Sequence, residues 1–171
     1  MANKISIAGI VETEETHVMG FARNISTDAI KSTYQEDSKK LEKLLQGVNE
    51  VKSHISIIKG ISEDFKSMQV VFGAIVELSG EANNILTEDK GVWAVIPPHP
   101  TVLKVVLNGS KDHLKEAWNK AFTFIKDNKL IVDMYANAWE VYASSEENNL
   151  ITEIYIPLII TKDKDLEKLS I

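Results

Sequence analysis

Residues 101–125 read TVLKVVLNGSKDHLKEAWNKAFTFI and join a strand signal to the clearest helix signal in the chain. Thr101–Leu107 is rich in β-branched residues, and Asn108–Ser110 is a turn sequence. After Leu114, apolar residues recur at offsets of 3, 4, 7, 8 and 11, which is the period of one helical face. The stretch predicts a strand followed by a helix whose apolar face, Trp118 and Phe122 included, packs into the core.

Two further strand signals follow this helix. They are Ala138–Ala143 (AWEVYA) and Ile151–Ile160 (ITEIYIPLII), which we expect to pair as a hairpin. The same order of strand, helix, strand and strand occurs earlier, around residues 18–78. Its members are His17–Ile25, a helix from Ile30, His54–Ile58 and Met68–Leu78. No aligned identities accompany this order, so the repeat is one of structure and not of sequence.

The repeated order predicts the architecture. We expect an α+β fold made of a duplicated strand-helix-strand-strand unit, with antiparallel sheets and a ligand groove between the pseudo-twofold halves. The expected domain spans residues 1–171, with halves at about 15–80 and 90–160 and a charged tail at 161–171. The strand signal Gly91–Ile96 (GVWAVI) is assigned to the start of the second half.

Composition excludes several classes of protein. The chain has 171 residues, of which 44% are hydrophobic and 26% charged, as in ordinary globular domains. With 25 acidic against 19 basic residues the net charge is −6, so we expect no direct nucleic-acid partner. No apolar run reaches the roughly 20 residues of a membrane helix, so we expect no membrane association. The lack of cysteine excludes disulfides and thiolate sites and fits a cytoplasmic location.

Sequence motifs for metals, nucleotides and activated nucleophiles are also missing. The four histidines are scattered and show no metal-ligand spacing with one another. The patterns G-x-S-x-G, G-x-x-x-x-G-K and G-x-G-x-x-G do not occur. We therefore expect neither a metal nor a cofactor.

Candidate ligand-binding residues form two E-x-Y pairs in the closing hairpin. Glu140 and Tyr142 share a strand face by the two-residue period, and so do Glu153 and Tyr155. We expect the aliphatic residues between the second pair to face a helix, and both E-x-Y pairs to share the opposite surface. Carboxylates between aromatic rings attract organic cations. A solvated sheet face would carry the same residues for solubility alone.

The same segments resemble a known family. The runs A-W-E-V-Y at 138–142 and T-E-I-Y-I-P-L at 152–158 are similar to the closing hairpin of the GyrI-like small-molecule-binding domains. L-K-V-V-L-N-G-S at 103–110, leading into H-L-K-E-A-W at 113–118, resembles that family's strand-and-helix unit. V-M-G-F-A-R at 18–23 is similar to its opening strand.

This resemblance implies ligand binding, as in the effector domains of AraC- and MerR-type multidrug regulators. It implies that Glu140 is the acid that meets ligands and that Glu153 is a second pocket acid. Tyr142, Tyr155 and Trp93 would be aromatic walls, although the sequence equally allows Trp93 to cap the core. We expect a stand-alone member of the family that binds small hydrophobic organic molecules, with organic cations among the candidate ligands. Its expected role is that of an effector sensor like those of transcription regulators.

Two other functions stay open at this point. The first is hydrolysis of reactive electrophilic small molecules, with Glu140 directing water or a proton. The second is a protein-partner module such as a gyrase-inhibitor-like protein. A homodimer is also open, since the exposed edges of two half-sheets can pair between chains.

Overall fold

The computed structural model describes residues 3–46, 51–77, 91–143 and 150–159. In these residues it has two α-helices, two short 3₁₀ turns (Thr27–Ala29 and Lys111–His113) and nine strands. The helices are α1 (Ile30–Leu45) and α2 (Leu114–Asp127). The strands are β1 (Lys4–Thr13), β2 (Thr16–Ser26), β3 (Ser53–Ile61), β4 (Ser67–Ile75), β5 (Val92–Ile96), β6 (His99–Asn108), β7 (Ile131–Val132), β8 (Ala138–Tyr142) and β9 (Ile151–Ile159). The chain forms two compact units, one of residues 15–97 and one of residues 1–14 with 98–171.

The unit of residues 15–97 is an antiparallel sheet in the order β3-β4-β2-β5, with α1 packed on one face. Alternate residues of β2 face this helix, and Leu41 and Leu45 of α1 are buried against Met19 and Phe21. An ion pair holds the helix in place, because the Arg23 guanidinium donates to both carboxylate oxygens of Asp37, at 2.9 and 2.6 Å. Its two parallel bonds fix α1 relative to β2.

The second unit is an antiparallel sheet in the order β1-β6-β9-β8, with β7 paired to the end of β9. Helix α2 begins after a capped turn, in which the Ser110 hydroxyl accepts from the Asp112 backbone N–H at 3.2 Å. Its apolar stripe packs on alternate residues of β6 and β9 to form one core. The buried members are Leu103, Val105, Leu107, Ala117, Ala121, Ile125, Ile154, Ile156 and Leu158.

The predicted α+β class and the duplicated strand-helix-strand-strand order are confirmed, as β2-α1-β3-β4 and β6-α2-β8-β9. The ligand groove between the halves stays a prediction. The proposed tail at 161–171 and the hairpin loop at 144–149 lie outside the described residues. In the described part of the chain, no helix is long and apolar enough to cross a membrane.

Three strands differ from the sequence analysis, and one of them is the two-residue β7 (Ile131–Val132), to which no element was assigned. Lys4–Thr13, to which no element was assigned, forms β1 and pairs with β6, and two register shifts in this pairing break the two-residue period of the strand. Gly91–Ile96, which was assigned to the second half, supplies β5, and that strand pairs with β2 inside the unit of residues 15–97. Pro97 and Pro98 follow without backbone N–H groups, so the pairing with β2 ends there.

Candidate functional site

Glu140 is a buried acid beneath helix α2. It lies opposite Ile154 in the β8–β9 pair, and residues opposite each other in an antiparallel pair point to the same face. Because Ile154 belongs to the core under α2, this register directs the Glu140 side chain toward the helix. Only 7% of Glu140 is exposed.

The surroundings of Glu140 favour its neutral form. Burial raises its pKa from 4.5 to about 7, while a hydrogen bond donated by the Trp118 indole and the charge of Lys111 act in the opposite direction. The second carboxyl oxygen, Oε2, is buried and has no hydrogen-bond partner among the described residues. A buried carboxyl group of this kind costs free energy unless a further partner arrives.

A lysine and a tyrosine lie beside this acid. The Lys111 Nζ is 4.0 Å from the centroid of the Tyr142 ring, a cation–π geometry. Burial lowers the pKa of Lys111, and the nearby charge of Glu140 partly offsets this. Tyr142 is two residues from Glu140 on the same strand and shares its face.

Thr152 adds a second unsatisfied oxygen on this face. It lies opposite Tyr142 on β8 and Leu107 on β6, and it is fully buried. Its hydroxyl oxygen has no hydrogen-bond partner in the part of the chain that the structure describes. Buried polar groups are normally paired, so these two oxygens on neighbouring strands make this face a candidate for contact with a ligand or water.

The second E-x-Y pair lies on the opposite face of the sheet. Glu153 is opposite Val141, and Tyr155 is opposite Trp139, with the two rings stacked at 5.1 Å. The Tyr155 hydroxyl donates to Glu153, and the Lys104 Nζ is 3.2 Å from the same carboxylate. Burial and the Glu153 carboxylate raise the pKa of Tyr155 above its usual range.

The prediction that both pairs share one surface is therefore wrong. The register places Glu140 opposite Ile154, so the first pair lies on the helix-covered face and the second on the other. A ligand-binding role for Glu153 and Tyr155 stays a prediction, separate from the site at Glu140.

Trp93 lies in the unit of residues 15–97, on β5 opposite Met19. It packs against the core under α1, and its indole N–H donates to Nδ1 of His17 at 3.2 Å. This position corresponds to the core-capping alternative. Its role as an aromatic wall stays a prediction.

Sequence reasoning missed three residues at the site, namely Lys111, Trp118 and Thr152. Trp118 was assigned to the core because it lies on the apolar stripe of α2, and it does pack there. Its indole N–H, which usually needs a partner when buried, was the available signal. Phe122, also assigned to the core, is 50% exposed, and its ring lies 5.7 Å from that of Trp118.

No metal centre is formed by the residues that the structure describes. In those ranges, no three side chains of the metal-ligating types lie close enough together to hold an ion.

Comparison with known families identifies residues 9–159 with the GyrI-like small molecule binding domain. No curated protein matches the sequence.

Solved structures share the fold at low sequence identity. The EcmrR C-terminal domain superposes with a TM-score of 0.70 at 18% identity, covering 94% of this chain and 100% of that one. In an EcmrR–DNA complex the TM-score is 0.69 at 17% identity, over 91% of this chain, which spans 57% of the EcmrR chain. The structure of SAV2435 bound to tetraphenylphosphonium superposes with a TM-score of 0.66 at 14% identity, and the match covers 99% of this chain and 98% of SAV2435. A hydrolase from Listeria innocua superposes with a TM-score of 0.56 at 12% identity, and the match covers 91% of this chain and 92% of the hydrolase.

Proposed function

This chain belongs to the family of GyrI-like small-molecule-binding domains, and we propose that it binds small hydrophobic organic cations at the face of the β6–β9–β8 sheet beneath α2. Glu140 supplies the charge, and Tyr142 with Trp118 supplies the aromatic surface. Thr152 offers a further hydrogen-bonding oxygen.

The observation that carries this proposal is the unsatisfied carboxyl oxygen of Glu140. An ionised carboxylate in an apolar setting is costly, and a cation brought against it removes that cost. A neutral ligand offers no such compensation. Cationic ligands should therefore be preferred over neutral ligands of the same size.

The aromatic neighbours support the same ligand class. Tyr142 already has the Lys111 ammonium over its ring, and this contact supports a cationic ligand for that ring face. Aromatic faces and a carboxylate together attract organic cations more strongly than either does alone. SAV2435, a protein of this fold, is bound to tetraphenylphosphonium, which supports the choice of that cation as a probe.

The proposed biological use is effector sensing. A domain of this fold occurs in EcmrR, which has been seen in complex with DNA, and this supports ligand sensing on behalf of a transcription regulator. The net charge of −6 supports the proposal that the chain itself does not contact nucleic acid directly.

Calorimetric titration tests the binding proposal. Tetraphenylphosphonium and the neutral triphenylphosphine oxide are compared on wild type and Glu140→Gln at about pH 8, where an acid with a pKa of about 7 is ionised. Wild type should prefer the cation, and the variant should lose that preference while binding the neutral compound as before. Equal binding of both compounds by wild type would contradict the proposal.

A second candidate function is hydrolysis of electrophilic small molecules, which the pKa of Glu140 favours. An acid that titrates at about 7 can give or take a proton at neutral pH. The probe is 4-nitrophenyl acetate, an ester activated enough to need no strong nucleophile. Hydrolysis should rise through about pH 7 in wild type and be lost in Glu140→Gln. Equal rates in both proteins would exclude this function for Glu140.

A further inference from the structure

Lys111 is placed where a cationic ligand would be expected. It is the first residue of the 3₁₀ turn before α2, and the preceding Ser110 side chain caps that turn. The turn directs the lysine ammonium over the ring of Tyr142, at 4.0 Å from its centroid. The side chain is partly buried, and its charge acts on Glu140.

These two partners are the ones that the proposed ligand uses. An organic cation gains from the Tyr142 ring face and from the Glu140 carboxylate, and the lysine ammonium draws on both. A lysine side chain is long, flexible and strongly hydrated when free, so it can leave such a position for solvent.

We infer that the ammonium group of Lys111 occupies the cation position beside Tyr142 and Glu140, and that a cationic ligand must displace it. This inference rests on the proposed function, because it concerns the same site. Lys111 is then a specificity-determining residue. A ligand replaces it only by adding apolar and aromatic contact that an ammonium group lacks, which favours bulky hydrophobic cations over small hydrated ones.

Removing the charge of Lys111 tests this directly. Tetraphenylphosphonium is titrated into wild type, Lys111→Met and Lys115→Met at a series of pH values from about pH 8 upward, because loss of the Lys111 charge raises the pKa of Glu140, and the plateau affinities are compared. Lys115 is exposed on α2, so its substitution makes the same charge change close to the site. Lys111→Met should bind the cation about tenfold more tightly, since a competing cation–π contact is removed. Lys115→Met should bind as wild type does.

A second measurement uses the wild-type protein. Mild acetylation of lysines, with mass spectrometry of the peptides, is run with and without tetraphenylphosphonium. Bound cation should raise acetylation of Lys111 severalfold and leave Lys115 unchanged, because only the displaced amine becomes exposed.

The two proposals fail in different ways. If wild type binds the cation through Glu140 but Lys111→Met binds no more tightly and acetylation of Lys111 does not rise, the displacement model is overturned and the binding function stands. If only Lys111→Met binds, the lysine is the occupant and its displacement is the barrier. If neither protein binds the cation, both proposals are overturned.

Discussion

Glu140 and Glu153 lie on opposite faces of one pair of strands. Glu140 is opposite the buried Ile154 and faces helix α2, whereas Glu153 is opposite Val141 and pairs with Lys104. The Glu140 carboxyl group has one oxygen without a hydrogen-bond partner among the described residues. The Glu153 carboxylate, in contrast, pairs with the Lys104 ammonium and accepts a hydrogen bond from the Tyr155 hydroxyl. Two acids of similar sequence context therefore have different chemistry.

Substituting each acid separately should show this difference. Glu140→Gln should weaken tetraphenylphosphonium binding at least tenfold, because a desolvated charge pair is lost. Glu153→Gln removes the same charge from the other face and should leave the affinity within about twofold. Titration calorimetry at one ionic strength gives both values. Equal losses in the two variants would place the ligand elsewhere.

Cation binding should strengthen as pH rises toward neutrality. Only ionised Glu140 attracts a cation, and its pKa is about 7. The apparent affinity should therefore fall roughly tenfold for each pH unit below that value and level off above it. Tetraphenylphosphonium carries a permanent charge, so its own state does not change. A flat profile in Glu140→Gln is the control, and a flat profile in wild type would contradict the assignment.

The ligand-free protein should lose stability over the same range of pH. Since the pKa of Glu140 is raised from 4.5 to about 7, the folded state binds more protons than the unfolded state between these values. The free energy of unfolding therefore falls as pH rises through this window, by at most roughly 3 kcal/mol. Urea unfolding of wild type and Glu140→Gln between about pH 5 and pH 8 isolates this contribution. As pH rises, the free energy of unfolding of Glu140→Gln should increase relative to that of wild type. A pH-independent difference between the two free energies would argue against a buried, titrating Glu140.

Two glycines offer a matched test of packing in the unit of residues 15–97. A Cβ atom at Gly20 would overlap the Phe72 carbonyl oxygen and lie 2.7 Å from the Gly73 Cα, whereas one at Gly60 meets nothing within 4 Å. Gly20→Ala should therefore lower the free energy of unfolding by about 1–3 kcal/mol. Gly60→Ala should change it by less than about 0.5 kcal/mol. Chemical denaturation measures both, and equal effects would contradict the close approach of β2 and β4.

The helices and most strands could be predicted because their signals are local. The stripe from Leu114 to Ile125 sets the face of α2, and the β-branched run before it predicts β6. The partner of a strand is not a local property. Gly91–Ile96 was predicted as a strand, but nothing in its own sequence indicates that it pairs with β2.

The candidate site was predicted only in part, for the same reason. The period of two correctly places Glu140 beside Tyr142 on one face of β8. Which face that is depends on the register with β9, and a shift of one residue reverses it. The contributions of Lys111 and Trp118 depend in turn on where α2 lies over the sheet, which no spacing within the sequence reveals.

The pairing of β1 with β6 also bears on how the chain folds during synthesis. The unit of residues 15–97 is continuous, so every strand of its sheet has left the ribosome before translation of the other sheet is complete. Strand β1, which precedes this unit in the chain, lacks its partner β6 until His99–Asn108 has been translated. Its exposed edge is therefore available for wrong pairing throughout that interval. Once β6 is paired, the register shift between Ile7 and Gly9 places an extra residue on β1, which twists this edge and makes it a poorer template for a second chain.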